Sequence, residues 1–188
     1  TSSSATSLGR KLIAAYRRVS ISHSQRPCKH SVIKQGVVQL ELLNTMGASS
    51  TKLEPLKPVD NVPVRQLFGT WFVIAVMPTI FEKGAHNAIE TYSAGKTEGA
   101  VDIDFRYNKN SLAGPLKKLP QTGSSWYDDK TAGWKVSPFW PVKMPYLVID
   151  KSKTALDNDA AWFVVGYPSR AYVWVMARKP EMPRSVLE

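Results

Sequence analysis

The chain has 188 residues, of which 43% are hydrophobic and 21% charged, a composition typical of a globular protein rather than of a disordered one. No uninterrupted apolar run exceeds seven residues, the length of Trp71–Met77, so a membrane-spanning helix of about 20 residues is excluded. The only cysteine, Cys28, cannot form an intrachain disulfide, which excludes a small secreted domain held together by disulfides.

The N-terminal third carries most of the positive charge. Residues 1–60 hold nine Lys/Arg and three Asp/Glu, and the first forty residues contain no acid. Apolar residues recur at helical spacing from Leu8 to Val19, so a basic amphipathic helix is predicted there. This composition is typical of an organellar targeting or docking segment. The basic residues that we expect to dock are Arg10, Lys11, Arg17 and Arg18.

A Pro- and Ser/Thr-rich stretch follows. Residues 31–46 are mixed in period and fit a short helix or a strand, and residues 47–63 contain Pro55, Pro58 and Pro63, which indicate a linker. We therefore predict two parts, a basic N-terminal extension with its linker over residues 1–64 and a second domain over residues 65–188.

Short segments of β type fill the second part, and turn residues separate them. Lys117 and Lys118 are interpreted as part of a solvated turn. About eight such β segments, with no long helical pattern between one segment and the next, predict an all-β domain, either an up-and-down barrel or a sandwich. The predicted strands are 69–77, 87–94, 99–107, 122–127, 132–139, 145–150, 160–166 and 171–177.

Five segments of this domain resemble the lipocalin family in order and spacing. The first is the Gly69-x-Trp71 motif in Phe68–Phe72, and the others are Asn87–Tyr92, Trp134–Phe139, Tyr146–Asp150 and Pro168–Pro180. The resemblance covers about residues 65–182. It is strongest to the branch of bacterial lipocalins, apolipoprotein D and plant temperature-induced lipocalins.

The resemblance implies an eight-stranded up-and-down antiparallel barrel, preceded here by the basic, partly helical extension. In this family Gly69, Trp71 and Arg178 would be fold-determining residues, with Trp71 closing the barrel floor and Arg178 lying over its ring. Such a barrel holds one small ligand. The long loop 78–86 would lie at the open end with Phe81 as its apolar lid, and strand alternation points to eight further pocket residues: Val73, Ala75, Tyr92, Phe105, Tyr107, Val136, Tyr146 and Val148.

Two features depart from the family pattern. The strand at Phe72–Val76 is apolar on both faces, so we expect its outer face to be covered by the N-terminal extension or by another protein. The segment after the last strand is short and contains Pro183, so a full packing helix is not expected there.

The chain lacks the patterns of catalytic and cofactor sites. Cys28 and His30 supply one ligand pair at most, and a zinc site needs three or four ligands. Asp102 and Asp104 alternate along one strand face and are interpreted as solvated surface. No nucleophile triad, phosphate loop or cofactor motif appears. We therefore expect that the protein is not an enzyme and that it binds no metal. We also expect no cofactor beyond a bound lipid or other hydrophobic ligand, and no nucleic acid as partner.

Two functions remain open from the sequence. One is an accessory subunit of an organellar, membrane-associated complex, docked through the extension to protein subunits and anionic lipid; the mitochondrion is favoured and the plastid is the alternative. The other is a free carrier of a fatty acid, lysolipid, sterol, quinone or pigment. The long extension, the apolar outer face of the first strand and the short C-terminus favour the accessory subunit.

Overall fold

The computed structural model describes residues 32–34, 54–60, 62–125, 133–139 and 141–187. In these residues the chain forms ten strands, one 3-10 helix at Val64–Leu67 and a single-turn helix, α1, at Arg184–Leu187. The strands are β1 Val32–Lys34, β2 Gly69–Met77, β3 Ala85–Ala94, β4 Ala100–Lys109, β5 Leu116–Ser125, β6 Gly133–Ser137, β7 Met144–Lys151, β8 Trp162–Gly166, β9 Val173–Ala177 and β10 Glu181–Pro183.

Strands β2 to β9 form a closed antiparallel barrel. Each strand pairs with the next along the chain, and β9 closes the barrel by pairing with β2. The alternation expected of a half-buried strand is clear in β4, where Val101, Ile103 and Phe105 are buried inside and Asp102 and Asp104 lie on the outer face. The predicted eight-stranded up-and-down barrel is therefore confirmed.

One end of the barrel is closed around Trp71. Its side chain is fully buried, its Nε1 donates a hydrogen bond to the carbonyl oxygen of Leu67 at 2.7 Å, and its ring meets Phe163 edge to face at 4.5 Å. The guanidinium of Arg178 lies 3.7 Å from the centre of the Trp71 ring. A cation over an aromatic face is worth about 0.5–2 kcal/mol, so this pair joins the first and last barrel strands.

Arg178 also ties three chain segments together at the closed end. Its guanidinium donates hydrogen bonds to the carbonyl oxygens of Leu156 at 2.8 Å, Phe68 at 2.9 Å and Thr70 at 3.0 Å. Partial burial lowers the pKa of Arg178 from its ordinary value, although an arginine stays charged. Gly69 has a φ of +98°, and a Cβ there would lie 2.9 Å from Nη1 of Arg178. Glycine is therefore required both for the backbone conformation and for this close approach.

A bulge in β2 corrects one predicted orientation. The register of β2 against β9 shifts between Val73 and Ala75, so Val73 and Val76 face the interior while Ile74 and Ala75 belong to a second, outer apolar cluster. The inward orientation predicted for Ala75 is wrong, because a bulge adds one residue to the strand and reverses the alternation beyond it.

The chain itself supplies partners for the apolar outer face of β2. The outer cluster joins Ile74 and Ala75 to Leu56, from the segment before the barrel, and to Met182 in β10. In the same region β10 pairs with β1, and helix α1 is a single turn. The outer face is thus buried within the chain.

Strand β5 also differs from the prediction. It begins at Leu116, six residues before the predicted start, and Lys117 and Lys118 are part of the strand rather than of a turn. Lysine and proline are poor strand formers, yet nine residues of β5 pair with β4, including Pro120 with Asp104. The continuous ladder with β4 therefore overrides the local sequence preference.

Part of the predicted linker packs against the barrel. Leu56 is buried, Val62 is fully buried in the interior cluster, and the amide of Val59 donates a hydrogen bond to the carbonyl oxygen of Val148 at 2.7 Å. Most of the predicted extension, including the helix with Arg10, Lys11, Arg17 and Arg18, lies outside the described residues. The domain boundary at residue 64 therefore stays a prediction.

Candidate functional site

The connection between β2 and β3 lies at the end of the barrel opposite Trp71 and covers the mouth. It spans residues 78–84, slightly shorter than the predicted loop, because β3 begins at Ala85. Phe81 lies on this loop, and its ring meets that of Phe139, from the β6–β7 connection, edge to face at 5.3 Å. Phe81 therefore stands where a lid residue would stand, and its role in binding stays a prediction.

The structure places most of the predicted pocket residues in the interior. Seven of them belong to the inner apolar cluster, and their side chains are all buried. Their role in ligand binding stays a prediction, and the same residues form the core of the barrel. These residues are Val73, Tyr92, Phe105, Tyr107, Val136, Tyr146 and Val148.

A buried carboxyl group lies among these apolar side chains. Glu90, on β3, is only 4% exposed, and its carboxyl accepts hydrogen bonds from the hydroxyls of Tyr92 on β3 and Tyr146 on β7, the latter at 3.3 Å. The two tyrosine hydroxyls also contact each other. The three groups form one polar cluster inside an otherwise apolar barrel.

Burial changes the acidity of this cluster. The pKa of Glu90 is raised from its ordinary value of 4.5 to about 7, because burial and, to a smaller extent, the negative charge of Glu82 raise it more than the hydrogen bonds from Tyr92 and Tyr146 lower it. Burial and the charge of Glu90 also raise the pKa of Tyr92 and of Tyr146, so both hydroxyls stay protonated. Near neutral pH Glu90 therefore changes between a hydrogen-bond donor and an anion.

A second carboxylate, Glu82, anchors the mouth loop to the barrel wall. One of its oxygens accepts hydrogen bonds from the amide of Thr79 at 2.9 Å and from the hydroxyl of Thr79 at 2.8 Å. The other accepts a hydrogen bond from Nε1 of Trp174 on β9 at 2.8 Å. Because the loop carries Phe81, these bonds also fix the position of the lid.

A small cavity of about 40 Å³ opens between these groups at the mouth. Its wall combines the carboxyls of Glu82 and Glu90 with aromatic and apolar side chains, and the rings of Tyr146 and Trp174 stack 6.2 Å apart beside it. A further void of about 10 Å³ lies near the β2 bulge. The other residues that line the mouth cavity are Thr79, Phe81, Leu119, Gln121, Val136, Pro138, Met144 and Pro145.

Glu82 and Glu90 were not among the residues predicted for the site. A carboxylate is normally assigned to the surface, but Glu90 lies two residues before Tyr92, which was predicted to face inward. Because a strand alternates with period two, the same alternation could have placed Glu90 in the interior. Glu82 carried no such signal, because it lies on a loop.

The comparisons with known proteins agree with this architecture. Residues 62–188 match the family model described as a lipocalin-like domain. The chain belongs to the lipocalin family. The predicted resemblance to that family is thus confirmed.

Bacterial and plant relatives cover the same part of this lipocalin. It is 31% identical over 137 residues to the outer membrane lipoprotein Blc of Citrobacter freundii, covering 71% of each chain. It is 24% identical over 135 residues to temperature-induced lipocalin-1 of Arabidopsis thaliana, covering 70% of this chain and 71% of the relative.

The fold is also similar to that of solved structures. This lipocalin superposes on the cockroach major allergen Per a 4 with a TM-score of 0.50 at 12% identity, over 69% of this chain and 77% of the allergen. At that identity the likeness concerns the fold alone. In the residues that the structure describes, none of the helices has the length and apolar character needed to cross a membrane.

Proposed function

We propose that this lipocalin is a non-catalytic binding protein that holds one small amphiphilic molecule. The apolar part of the ligand would enter the barrel, and its polar end would meet the cluster of Glu90, Tyr92 and Tyr146. Family membership and the apolar interior support this proposal. The observation that carries it is the buried carboxyl of Glu90 beside the mouth cavity, because burying a carboxyl costs stability that apolar filler would not cost.

The size of the cavity limits how a ligand would enter. A pocket for a drug-sized molecule measures about 300–1,000 Å³, whereas the cavity at the mouth measures about 40 Å³. Side chains must therefore move when the ligand enters. Phe81 and Phe139 are both exposed and contact each other across the mouth, so their displacement costs less than that of the buried Tyr146.

The direct test is a titration of the full-length, delipidated protein with cis-parinaric acid, a fluorescent fatty acid, followed by energy transfer from tryptophan. We expect saturable one-to-one binding that an unlabelled fatty acid competes away. Binding should weaken as the pH rises through about 7, because an ionised Glu90 repels the fatty acid carboxylate whereas a protonated Glu90 donates a hydrogen bond to it.

Two variants distinguish the effect of the buried carboxyl at the mouth from that of a carboxyl on the outer wall of the barrel. Glu90→Gln removes the titrating group and should abolish the pH dependence between pH 6 and 8, while Asp102→Asn, on the outer face of β4, should leave it unchanged. A folded protein that shows no saturable binding would overturn the proposed function.

A second candidate function is an accessory subunit of an organellar, membrane-associated complex, with the mitochondrion favoured over the plastid. Large side chains such as Phe105 and Phe163 fill the interior, and the segment with Leu56 and Val62 packs on the barrel. These contacts favour a barrel that presents its N-terminal extension to partners. The basic composition of residues 1–31 supports an organellar location.

Native-size chromatography of extracts from the source cells tests this second candidate. The full-length protein should elute in a high-mass complex, and deletion of residues 1–31, which spares the barrel contacts of Leu56 and Val62, should shift it to the monomer position. Charge reversal of Arg10, Lys11, Arg17 and Arg18 should have the same effect. Elution of the intact chain as a monomer contradicts an accessory role.

A further inference from the structure

The large apolar side chains that remain exposed are gathered at one end of the molecule. In the part of the chain that the structure describes, five such residues are exposed, with exposed fractions from 36% for Phe81 to 79% for Ile80. All five lie on connections at the open end or on the first residue of β5. Besides Phe81 and Ile80, they are Leu112, Leu116 and Phe139.

The loops that carry these five side chains, here called the apolar rim, are held together around the mouth. Phe81 on the β2–β3 loop meets Phe139 on the β6–β7 loop. The amide of Asn110 on the β4–β5 loop donates a hydrogen bond to the carbonyl oxygen of Gly84 at 2.7 Å. Three loops are thereby linked around the mouth, so the rim side chains are held together at one end of the fold. Exposed apolar surface gathered in this way marks an interaction site.

The open end is also positively charged. Its four connections, together with Lys109 at the end of β4 and Lys117 near the start of β5, carry five basic residues and one acid, Glu82, whose oxygens are turned to Thr79 and Trp174. The basic residues at this end are Lys83, Lys109, Lys117, Lys143 and Arg170.

The described connections at the opposite end have a different balance. Between β3 and β4, between β7 and β8, and between β9 and β10, their charges nearly cancel, because Glu98, Asp157 and Asp159 stand against Lys96, Lys153, Arg178 and Lys179. Lys179 forms a salt bridge with Asp159 at 3.2 Å, and the guanidinium of Arg178 lies over the ring of Trp71. The two ends therefore differ in both charge and apolar exposure.

We propose that the open end docks on the surface of an anionic lipid bilayer, with the side chains of the apolar rim entering the headgroup region. Apolar side chains that enter this region and cations beside an anionic surface both favour binding. A bilayer accepts separate loop tips without matching their shape, whereas a protein partner would have to complement a rim that is interrupted by the mouth. The proposal goes beyond ligand binding, since docking does not require an occupied barrel.

Flotation of the full-length protein with vesicles tests the docking. We expect binding to phosphatidylcholine vesicles that contain phosphatidylserine and at least about tenfold weaker binding to phosphatidylcholine alone. The charge variant Lys83→Glu/Lys117→Glu and the apolar variant Ile80→Ser/Leu112→Ser should each bind at least about tenfold more weakly than the native protein. The matched control Lys96→Glu/Lys153→Glu, at the opposite end, should bind like the native protein.

A label at the rim distinguishes docking by this surface from attachment through the basic N-terminal extension. In a Cys28→Ser background, a polarity-sensitive dye on Leu112→Cys should shift to the blue on anionic vesicles, and a dye on Lys153→Cys should not. Native-like binding by both rim variants, or an unshifted dye at position 112 on bound protein, overturns the proposal. Failure of the intact chain to bind either vesicle also overturns it and leaves an acidic protein as the partner of the rim.

Discussion

Replacing Trp71 by alanine is expected to lower the free energy of unfolding by about 3–5 kcal/mol. The side chain is fully buried, and its removal leaves a cavity beside Phe163. It also leaves the carbonyl oxygen of Leu67 without the indole donor and removes the ring over which Arg178 lies. Because these losses meet at the closed end of the barrel, the seam between β2 and β9 should be weakened with them.

Equilibrium unfolding in urea, followed by far-ultraviolet circular dichroism, gives the measurement. Trp71→Phe keeps a ring but loses the donor to Leu67, so its expected cost is smaller, about 1–2 kcal/mol, and it serves if the alanine variant fails to fold. Trp162→Ala is the matched control, because Trp162 is only partly buried on the outer face. A cost at Trp71 no greater than the cost at Trp162 would contradict the role assigned to Trp71.

The closed end is the part of the fold that the sequence predicts best. Strand β2 has the predicted bounds Gly69–Met77, and Arg178 lies over Trp71 as the resemblance to lipocalins implies. These contacts depend on a local motif and on a strand with a strong apolar pattern. The bounds of β2 can therefore be predicted from residue types alone, whereas the contact between Trp71 and Arg178 is implied only by the resemblance to the family.

Other features depend on neighbours that the sequence pattern does not show. The orientation of Ala75 is set by a bulge against β9, and the early start of β5 is set by its ladder with β4. Glu90 is buried because Tyr92 and Tyr146 supply its hydrogen bonds, and Tyr146 is 56 residues away along the chain. In each case a long-range contact overrides a preference that is sound for an isolated strand.

The exposed rim was also beyond the sequence analysis. The predicted strand order places the loops of Leu112 and Phe139 at the same end of the barrel, but isolated leucines and phenylalanines on loops are common at protein surfaces, and nothing in the sequence shows that these side chains stay exposed there. The strand order brings these loops together with the loop of Phe81. The site at the mouth therefore follows from topology, whereas the apolar character of its walls follows from alternation along each strand.

Glu90→Gln is expected to stabilise the protein at alkaline pH and to leave its stability nearly unchanged in acid. The folded state raises the pKa of Glu90 from 4.5 to about 7, so it binds the proton more tightly than the unfolded state. The resulting stabilisation is fully present below pH 4.5 and is lost as the pH rises through 7. Because the pKa rises from 4.5 to about 7, the variant should gain about 3 kcal/mol over the native protein above pH 8.

Three groups face Glu90 and could also contribute to the pH dependence of stability. Glu82 on the mouth loop is a like charge, and Tyr92 and Tyr146 are donors that stay protonated. Glutamine retains an oxygen that accepts their hydrogen bonds, so the substitution removes the charge with little change in packing. The difference between variant and native protein therefore isolates the titration of the buried carboxyl from the pH dependence of the other groups.

Urea unfolding of both proteins at intervals between pH 4.5 and 8.5 measures this difference. Glu98→Gln, at an exposed position of the β3–β4 connection, is the matched control, and its difference from the native protein should stay flat across the range. A gain for Glu90→Gln that does not change with pH would mean that Glu90 does not titrate in this window. A variant less stable than the native protein at pH 8 would mean that the ionised carboxyl is satisfied inside the barrel, and the polar end of the ligand would then have to be sought elsewhere along its wall.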